Sequence, residues 1–336
     1  MQTTDIQTQH TQDRLNKLPL VVDEIGKVIV GQKDIIQELL VSVLAGGHCL
    51  LEGVPGLAKT LMVSTLAECL ELNFRRVQFT PDLMPSDIIG TEILEEDHAS
   101  GKRFFKFQKG PLFTNILLAD EINRTPPKTQ AALLEAMQEK RVSYAGEIHT
   151  LPQPFFVLAT QNPVEQAGTY PLPEAQLDRF LMFIRVGYPT EQEEVDILER
   201  TTGNISTELK TILNADDMVE LQKLVREVEI SPALLNYIAR IVRASRPAES
   251  SNAQVLEYVR WGAGPRAGQA LVMCAKAHAL IEGHFAVTID DIKAISNAVL
   301  RHRILINFQA EASGITTEDV IASLFKEIEP PKSPLD

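Results

Sequence analysis

Residues Gly53 to Thr60 read G-V-P-G-L-A-K-T, and no other stretch restricts the fold as much. A short apolar run, Cys49-Leu50-Leu51, precedes them, and a helical pattern, Leu61-Met62-Val63-Ser64-Thr65-Leu66-Ala67, follows. Strand, glycine-rich turn, Lys-Thr and helix make up the setting of a phosphate-binding loop. Backbone N–H groups and the positive end of the helix converge there on an anion. Gly53, Val54, Pro55, Gly56, Leu57, Ala58, Lys59 and Thr60 are therefore the candidate phosphate contacts. Lys59 would reach the outer phosphates and the Thr60 hydroxyl would hold Mg²⁺. Ala58 stands where the pattern wants its second glycine, so alanine fits only with a negative φ. A plain strand-turn-helix, with glycines used only for turning, is the competing reading.

Asn115-Ile116-Leu117-Leu118-Ala119-Asp120-Glu121 carries the second signal. Four apolar residues ending in Asp-Glu describe a buried parallel strand with acids at its carboxyl end, where ligands of open α/β sheets sit. Asp120 can hold the Mg²⁺ shell, and Glu121 can activate the attacking water. Two helix-capping acids are the bland alternative. Phe155-Phe156-Val157-Leu158-Ala159-Thr160 is another buried strand, ending at Gln161-Asn162-Pro163. Asn162 is placed to orient water, or simply to begin an Asn-Pro turn. Upstream, Val30-Gly31-Gln32 could close over an adenine ring, or could be an ordinary turn between helices.

Strands and helices alternate up to Tyr188-Pro189-Thr190, which implies a parallel sheet. Only helical periodicity follows, over 191–199, 216–227, 231–244, 265–282, 289–300 and 317–325. The pattern divides the chain into a solvated tail (1–17), an α/β nucleotide-binding domain (18–188), a helical domain (189–328) and a short tail (329–336). A first helix is expected over 18–28, with Pro19 near its start. Hairpins are expected over 92–108, turning at Ala99-Ser100-Gly101, and over 141–150, turning at Ala145-Gly146. Tyr144 is a candidate contact for a client protein, with a core tyrosine as the alternative.

No apolar run approaches the roughly 18 residues of a membrane span, and the polar start is no secretory signal. Three scattered cysteines, Cys49, Cys69 and Cys274, suit reduced core positions in a cytoplasmic protein. A net charge of −13 weighs against a nucleic-acid binder.

Together the motifs resemble an AAA+ ATPase and, more narrowly, the MoxR family. V-G-Q at 30–32, the loop at 53–60 and L-L-A-D-E-I-N-R at 117–124 would suit many AAA+ proteins. F-T-P-D-L-M-P-S-D-I at 79–88 and L-P-E-A-Q-L-D-R-F at 172–180 narrow the resemblance, and G-P-R-A at 264–267 adds a further element. It implies a parallel-sheet P-loop nucleotide-binding domain followed by an all-α helical lid, and Mg²⁺-dependent ATP hydrolysis. It matches Lys59 and Thr60 to the first Walker motif, Asp120 and Glu121 to the second, and Asn162 to the first sensor. Arg179 matches an arginine finger acting on a neighbour's ATP, and Arg266 a second sensor acting on the chain's own nucleotide. Arg124 is a further candidate at the subunit boundary. A homo-oligomeric ring is implied, a hexamer as AAA+ proteins commonly form, with a chaperone-like role on a client or von Willebrand factor A domain partner. The hairpins resemble inserts that face the pore or client. A magnesium-chelatase-like motor subunit, a nucleic-acid motor and a nucleotide-gated scaffold are the other classes the motifs allow.

Overall fold

The computed structural model describes residues 2–54, 56–96, 103–162, 168–203 and 208–331, with side chains from residue 10 onward. Pro55, Pro163 and the expected turn at Ala99-Ser100-Gly101 lie outside them. The chain opens with helices α1 (Gln2–Gly26) and α2 (Lys33–Leu44). Strand β1 (Cys49–Glu52) leads through the glycine loop into α3 (Lys59–Cys69) and β2 (Phe74–Gln78). Next come α4 (Pro85–Ile89), a hairpin of β3 (Gly90–Glu96) and β4 (Arg103–Lys109), then β5 (Ile116–Asp120) and α5 (Pro127–Glu139). A second hairpin, β6 (Arg141–Tyr144) and β7 (Glu147–Thr150), precedes β8 (Phe156–Gln161), α6 (Glu174–Leu177) and β9 (Met182–Arg185). Helices α7 (Glu191–Thr202), α8 (Ala215–Glu227), α9 (Pro232–Ala244) and α10 (Ala253–Tyr258) follow. The last elements are β10 (Val259–Trp261), α11 (Pro265–Ile281), α12 (Ile289–Leu300), β11 (Leu305–Ile306), α13 (Phe308–Ala312) and α14 (Thr317–Glu327).

Five strands form one parallel sheet in the order β2-β5-β8-β1-β9. Its central strands are apolar throughout because both faces are covered. Leu50, Leu117, Val157 and Phe183 point to one face, where Leu133, Leu134 and Met137 of α5 cover them. Leu51, Leu118, Leu158 and Ile184 point to the other, packed with α1 to α3 and with Leu271, Ile292 and Leu300 of the helical lid. Lid and sheet therefore share one core.

Two expectations are corrected. The chain is helical well before residue 18: Leu15, Leu18, Val22 and Ile25 form one buried stripe along α1. Arg14 Nε also donates to Asp217 Oδ1 at 2.6 Å, so the helix runs through Pro19 rather than starting there. Nor is the second half purely helical, since β10 and β11 pair as a small antiparallel ribbon. The second hairpin turns at Ala145 (φ 49°) and Gly146 (φ 85°), two left-handed residues as a tight hairpin requires. Tyr144 lies half-buried on Phe107 of the first hairpin, ring centroids 5.1 Å apart, and Phe107 stacks on His149 at 4.3 Å. Tyr144 thus helps join the two hairpins.

Candidate active site

Parallel strands deliver their carboxyl ends to one edge of the sheet, and the candidate residues gather there. The glycine loop follows β1, Asp120 ends β5, and Asn162 follows β8. Lys59 and Thr60 open α3. The Lys59 ammonium donates to the Gly53 carbonyl at 2.6 Å. Burial depresses the Lys59 pKa, and the Asp120 and Glu121 carboxylates oppose that shift.

Ala58 corrects the expectation of a negative φ. It has φ 53° and ψ 22°, left-handed, directly before α3. For an L-residue this conformation costs roughly 1–2 kcal/mol. Gln32 (φ 55°) and Glu121 (φ 57°) are also left-handed. Half of the six such non-glycine residues among those described thus fall at this site, as strained backbone does at functional positions.

A thread of hydrogen bonds fixes the acid pair. The Thr160 hydroxyl donates to Asp120 Oδ1 at 2.6 Å and accepts from the Glu121 N–H at 2.9 Å. Asp120 Oδ2 receives Arg76 Nη2 at 2.6 Å and Nε at 3.1 Å. Glu121 Oε2 receives the Gln78 amide at 2.6 Å and Arg124 Nη1 at 2.9 Å. Asn162 is buried beside them. Sequence reasoning named Asp120, Glu121, Arg124 and Asn162 but missed Thr160, Gln78 and Arg76. Alternation along β2 could have found two of these, since Arg76 and Gln78 share one face at its carboxyl end.

Beside the loop lies a cavity of ≈ 410 Å³ lined by Ile29, Val30, Gln32, Leu57, Ala58, Tyr188 and Leu198, among others. The Gln32 side-chain oxygen is buried and without a hydrogen-bond partner. The Gly31 backbone (φ 66°) packs so closely on the capping residue Glu193 that an added Cβ would lie 2.1 Å from Glu193 Oε1. An apolar slot of this size with one orphaned acceptor fits a purine carrying an exocyclic amine. The α3 start, Lys59, Thr60 and Asp120 fit a phosphate chain with a hard cation, which takes oxygen ligands.

Arg179 and Arg266 are not brought to this edge. Arg179 is half-buried in the segment between α6 and β9. That segment enters the sheet at its amino end, where the Leu181 N–H donates to the His48 carbonyl at 2.7 Å. The glycine loop leaves β1 at the other end, a strand length of roughly 13 Å away. Arg266, at the start of α11, lies with its Nη1 3.5 Å from Asp178 Oδ2. It therefore accompanies Arg179 and not Lys59, contrary to the expectation that the lid carries it to the chain's own nucleotide.

A glycine loop after the first strand, an acid pair on β5, this strand order and a helical lid define a nucleotide-binding protein of the AAA+ class. Residues 48–182 match the ATPase family associated with various cellular activities (AAA), and residues 252–324 match the AAA lid domain. The chaperone MoxR1 of Mycobacterium tuberculosis is 43% identical over 319 residues, which span 95% of this chain and 83% of that protein. An uncharacterised protein, YeaC, of Bacillus subtilis is 43% identical over 312 residues, 92% of this chain and 93% of that one. A crystal structure described as a candidate ATPase from Cytophaga hutchinsonii shares 44% identity with a TM-score of 0.90, covering 99% of this chain and 100% of that one. The chain belongs to the MoxR family of AAA+ ATPases.

Proposed function

We propose that the protein binds ATP with Mg²⁺ at subunit boundaries of a homo-oligomeric ring and hydrolyses it to remodel or activate a partner protein. The separation of the two half-sites carries this reading. Lys59, Thr60, Asp120, Glu121 and Asn162 gather at one edge of the sheet, while Arg179 and Arg266 stand together at the other. A lone subunit cannot readily aim both groups at one γ-phosphate; neighbouring copies in a closed ring can. Phosphoryl transfer to water needs positioning and charge stabilisation more than covalent chemistry.

In this scheme the adenine enters the slot under Tyr188, where Gln32 accepts from its amine. Lys59 and the α3 N-terminus hold the phosphates. Thr60 and Asp120 would hold Mg²⁺, which when bound offsets phosphate charge. Glu121 takes the proton of the attacking water and Asn162 orients that water. Arg179 and Arg266 of the neighbouring subunit stabilise the charge that develops. On this reading Arg266 keeps its class of role but acts on the neighbour's nucleotide.

The name of the chaperone relative supports a protein client; a von Willebrand factor A domain is the form of client that the motif resemblance implies. The net charge of −13 favours a protein over a nucleic acid. Three buried free thiols suit a reducing cytoplasm. No helix among the described residues is long and apolar enough to cross a membrane.

Steady-state ATP hydrolysis tests the assignment. Lys59→Ala should lose nucleotide binding, and Glu121→Gln should bind but not turn over. Wild-type turnover in either variant would refute the site. Mixing Arg179→Ala subunits with Glu121→Gln subunits should restore hydrolysis if the finger acts across the boundary.

A further inference from the structure

The helical lid holds the candidate finger segment by a buried arginine. Arg303 follows α12, and its side chain is only 4% exposed. Its Nε donates to Asp178 Oδ1 at 2.8 Å. Nη2 reaches the Phe180 carbonyl at 2.8 Å, and Nη1 reaches the Leu181 carbonyl at 3.0 Å. Nη1 also donates to the Val299 carbonyl of α12 at 2.5 Å, which ties the guanidinium to its own helix. The adjacent His302, also buried, pairs its Nε2 with the Phe180 carbonyl at 3.1 Å and sets its ring edge-on to Phe183. Burial keeps this imidazole neutral, so Nε2–H is the donor.

This geometry is unlike ordinary surface pairing. A buried charge is tolerated only when its donors are met, and here every guanidinium nitrogen is. The contacts grip residues 178, 180 and 181, on both sides of Arg179. The Arg179 guanidinium itself makes no hydrogen bond or ion pair with any described residue. Its segment is fixed while its head is left available. The second oxygen of Asp178 faces Arg266 at 3.5 Å, so one carboxylate stands between the buried anchor and the other arginine of the pair.

We propose that Arg303 and Asp178 are positioning residues that set Arg179 and Arg266 as one unit for the neighbouring subunit's nucleotide. The inference rests on the trans reading above. A planar fork is needed, because a lysine in place of Arg303 keeps the charge but cannot hold the Phe180 and Leu181 carbonyls and Asp178 together. Its effect must appear on the neighbour's hydrolysis and not on the variant subunit's own site.

Mixed rings of full-length chains separate these. Arg179→Ala subunits serve as acceptors with an intact site, and Glu121→Gln subunits serve as donors with an intact finger. Adding Asp178→Asn to the donor should cut the restored hydrolysis by roughly 10- to 100-fold, the scale of a misplacement near 1 Å. Adding it to the acceptor should leave restoration within about twofold. ATP affinity of the Asp178→Asn chain should be unchanged, and its urea unfolding followed by far-ultraviolet circular dichroism reports folding. Arg303→Lys, run in the same two arms, should repeat the asymmetry and replaces Asp178→Asn if that variant does not fold. No recovery in the unaltered mixture would overturn the trans reading and this proposal with it. Recovery there, with equal loss in both arms or none in the donor arm, would overturn the anchoring alone.

Discussion

Arg76 and Asp120 form a two-pronged ion pair, with Nη2 at 2.6 Å and Nε at 3.1 Å from the same carboxylate oxygen. A cation thus already stands on the acid assigned to Mg²⁺. Arg76 is half exposed, so the pair is worth only about 0.2–1 kcal/mol. Arg76→Gln should therefore lower the Mg²⁺ concentration for half-maximal binding of a fluorescent ATP analogue by about 1.4- to fivefold. An unchanged or raised midpoint would mean that Arg76 does not compete for Asp120.

Glu121 is held in a comparable way. Its Oε2 accepts from both Gln78 and Arg124, and these bonds occupy one of its two oxygens and hold the carboxylate in its present orientation. Gln78→Ala removes one of them without touching the glycine loop. Client-free ATP hydrolysis should rise several-fold while nucleotide affinity stays within about twofold. A fall in rate would instead make Gln78 a residue that aligns Glu121 for catalysis.

The parts of this fold legible in the sequence are those where chemistry and local pattern coincide. Leu50-Leu51, Ile116 to Ala119 and Phe156 to Ala159 are continuous apolar runs because the sheet is covered on both faces. The glycine loop and Asp120-Glu121 are contiguous motifs. What escaped notice depends on distant partners or on very short elements. Arg303 reads as one of three basic-type residues after a helix, and only the fold brings residues 178–181 to it, more than a hundred positions away. The ribbon of Val259–Trp261 with Leu305–Ile306 is too short to show alternation. Pro19 concealed a stripe that Leu15 already belonged to, because a helix can lose one N–H bond where packing compensates. Ala58 lay in plain sight, but its backbone sign was not inferable from its identity.

Ala58 yields a prediction of opposite sign for two substitutions. Glycine adopts φ 53° without the Cβ penalty, but its freer unfolded chain offsets part of the gain. Ala58→Gly should stabilise by at most about 1 kcal/mol in urea unfolding and retain nucleotide binding. Ala58→Val places a β-branched side chain in the left-handed region, where it is a true outlier. The loop should then leave its present shape and binding should weaken at least tenfold. Equal affinities for the two variants would show that the loop does not need the left-handed residue.

Two buried groups with opposite linkage meet across the same pH range. His48 accepts from the Val157 N–H at its Nδ1 and donates from Nε2 to the Met137 carbonyl, so it is held neutral. Burial pushes its pKa down to about 4 from 6.5, with the Met137 carbonyl opposing. Its contribution is present above pH 6.5 and is lost as pH falls toward 4. Glu38 on α2 is pushed up to about 7 from 4.5, mainly by burial, with Arg301 opposing. Its contribution is present below pH 4.5 and is lost as pH rises through 7. Each amounts to about 1–3 kcal/mol, with Glu38 at the low end because it is only partly shielded from solvent. Between pH 5 and 7.5 the two slopes largely cancel in the wild-type chain. Glu38→Gln removes one of them and leaves the other, so its urea midpoint should drop clearly more than that of the wild type on going from pH 7.5 to 5. Parallel pH profiles for the two proteins would show that Glu38 titrates as an ordinary solvated carboxyl.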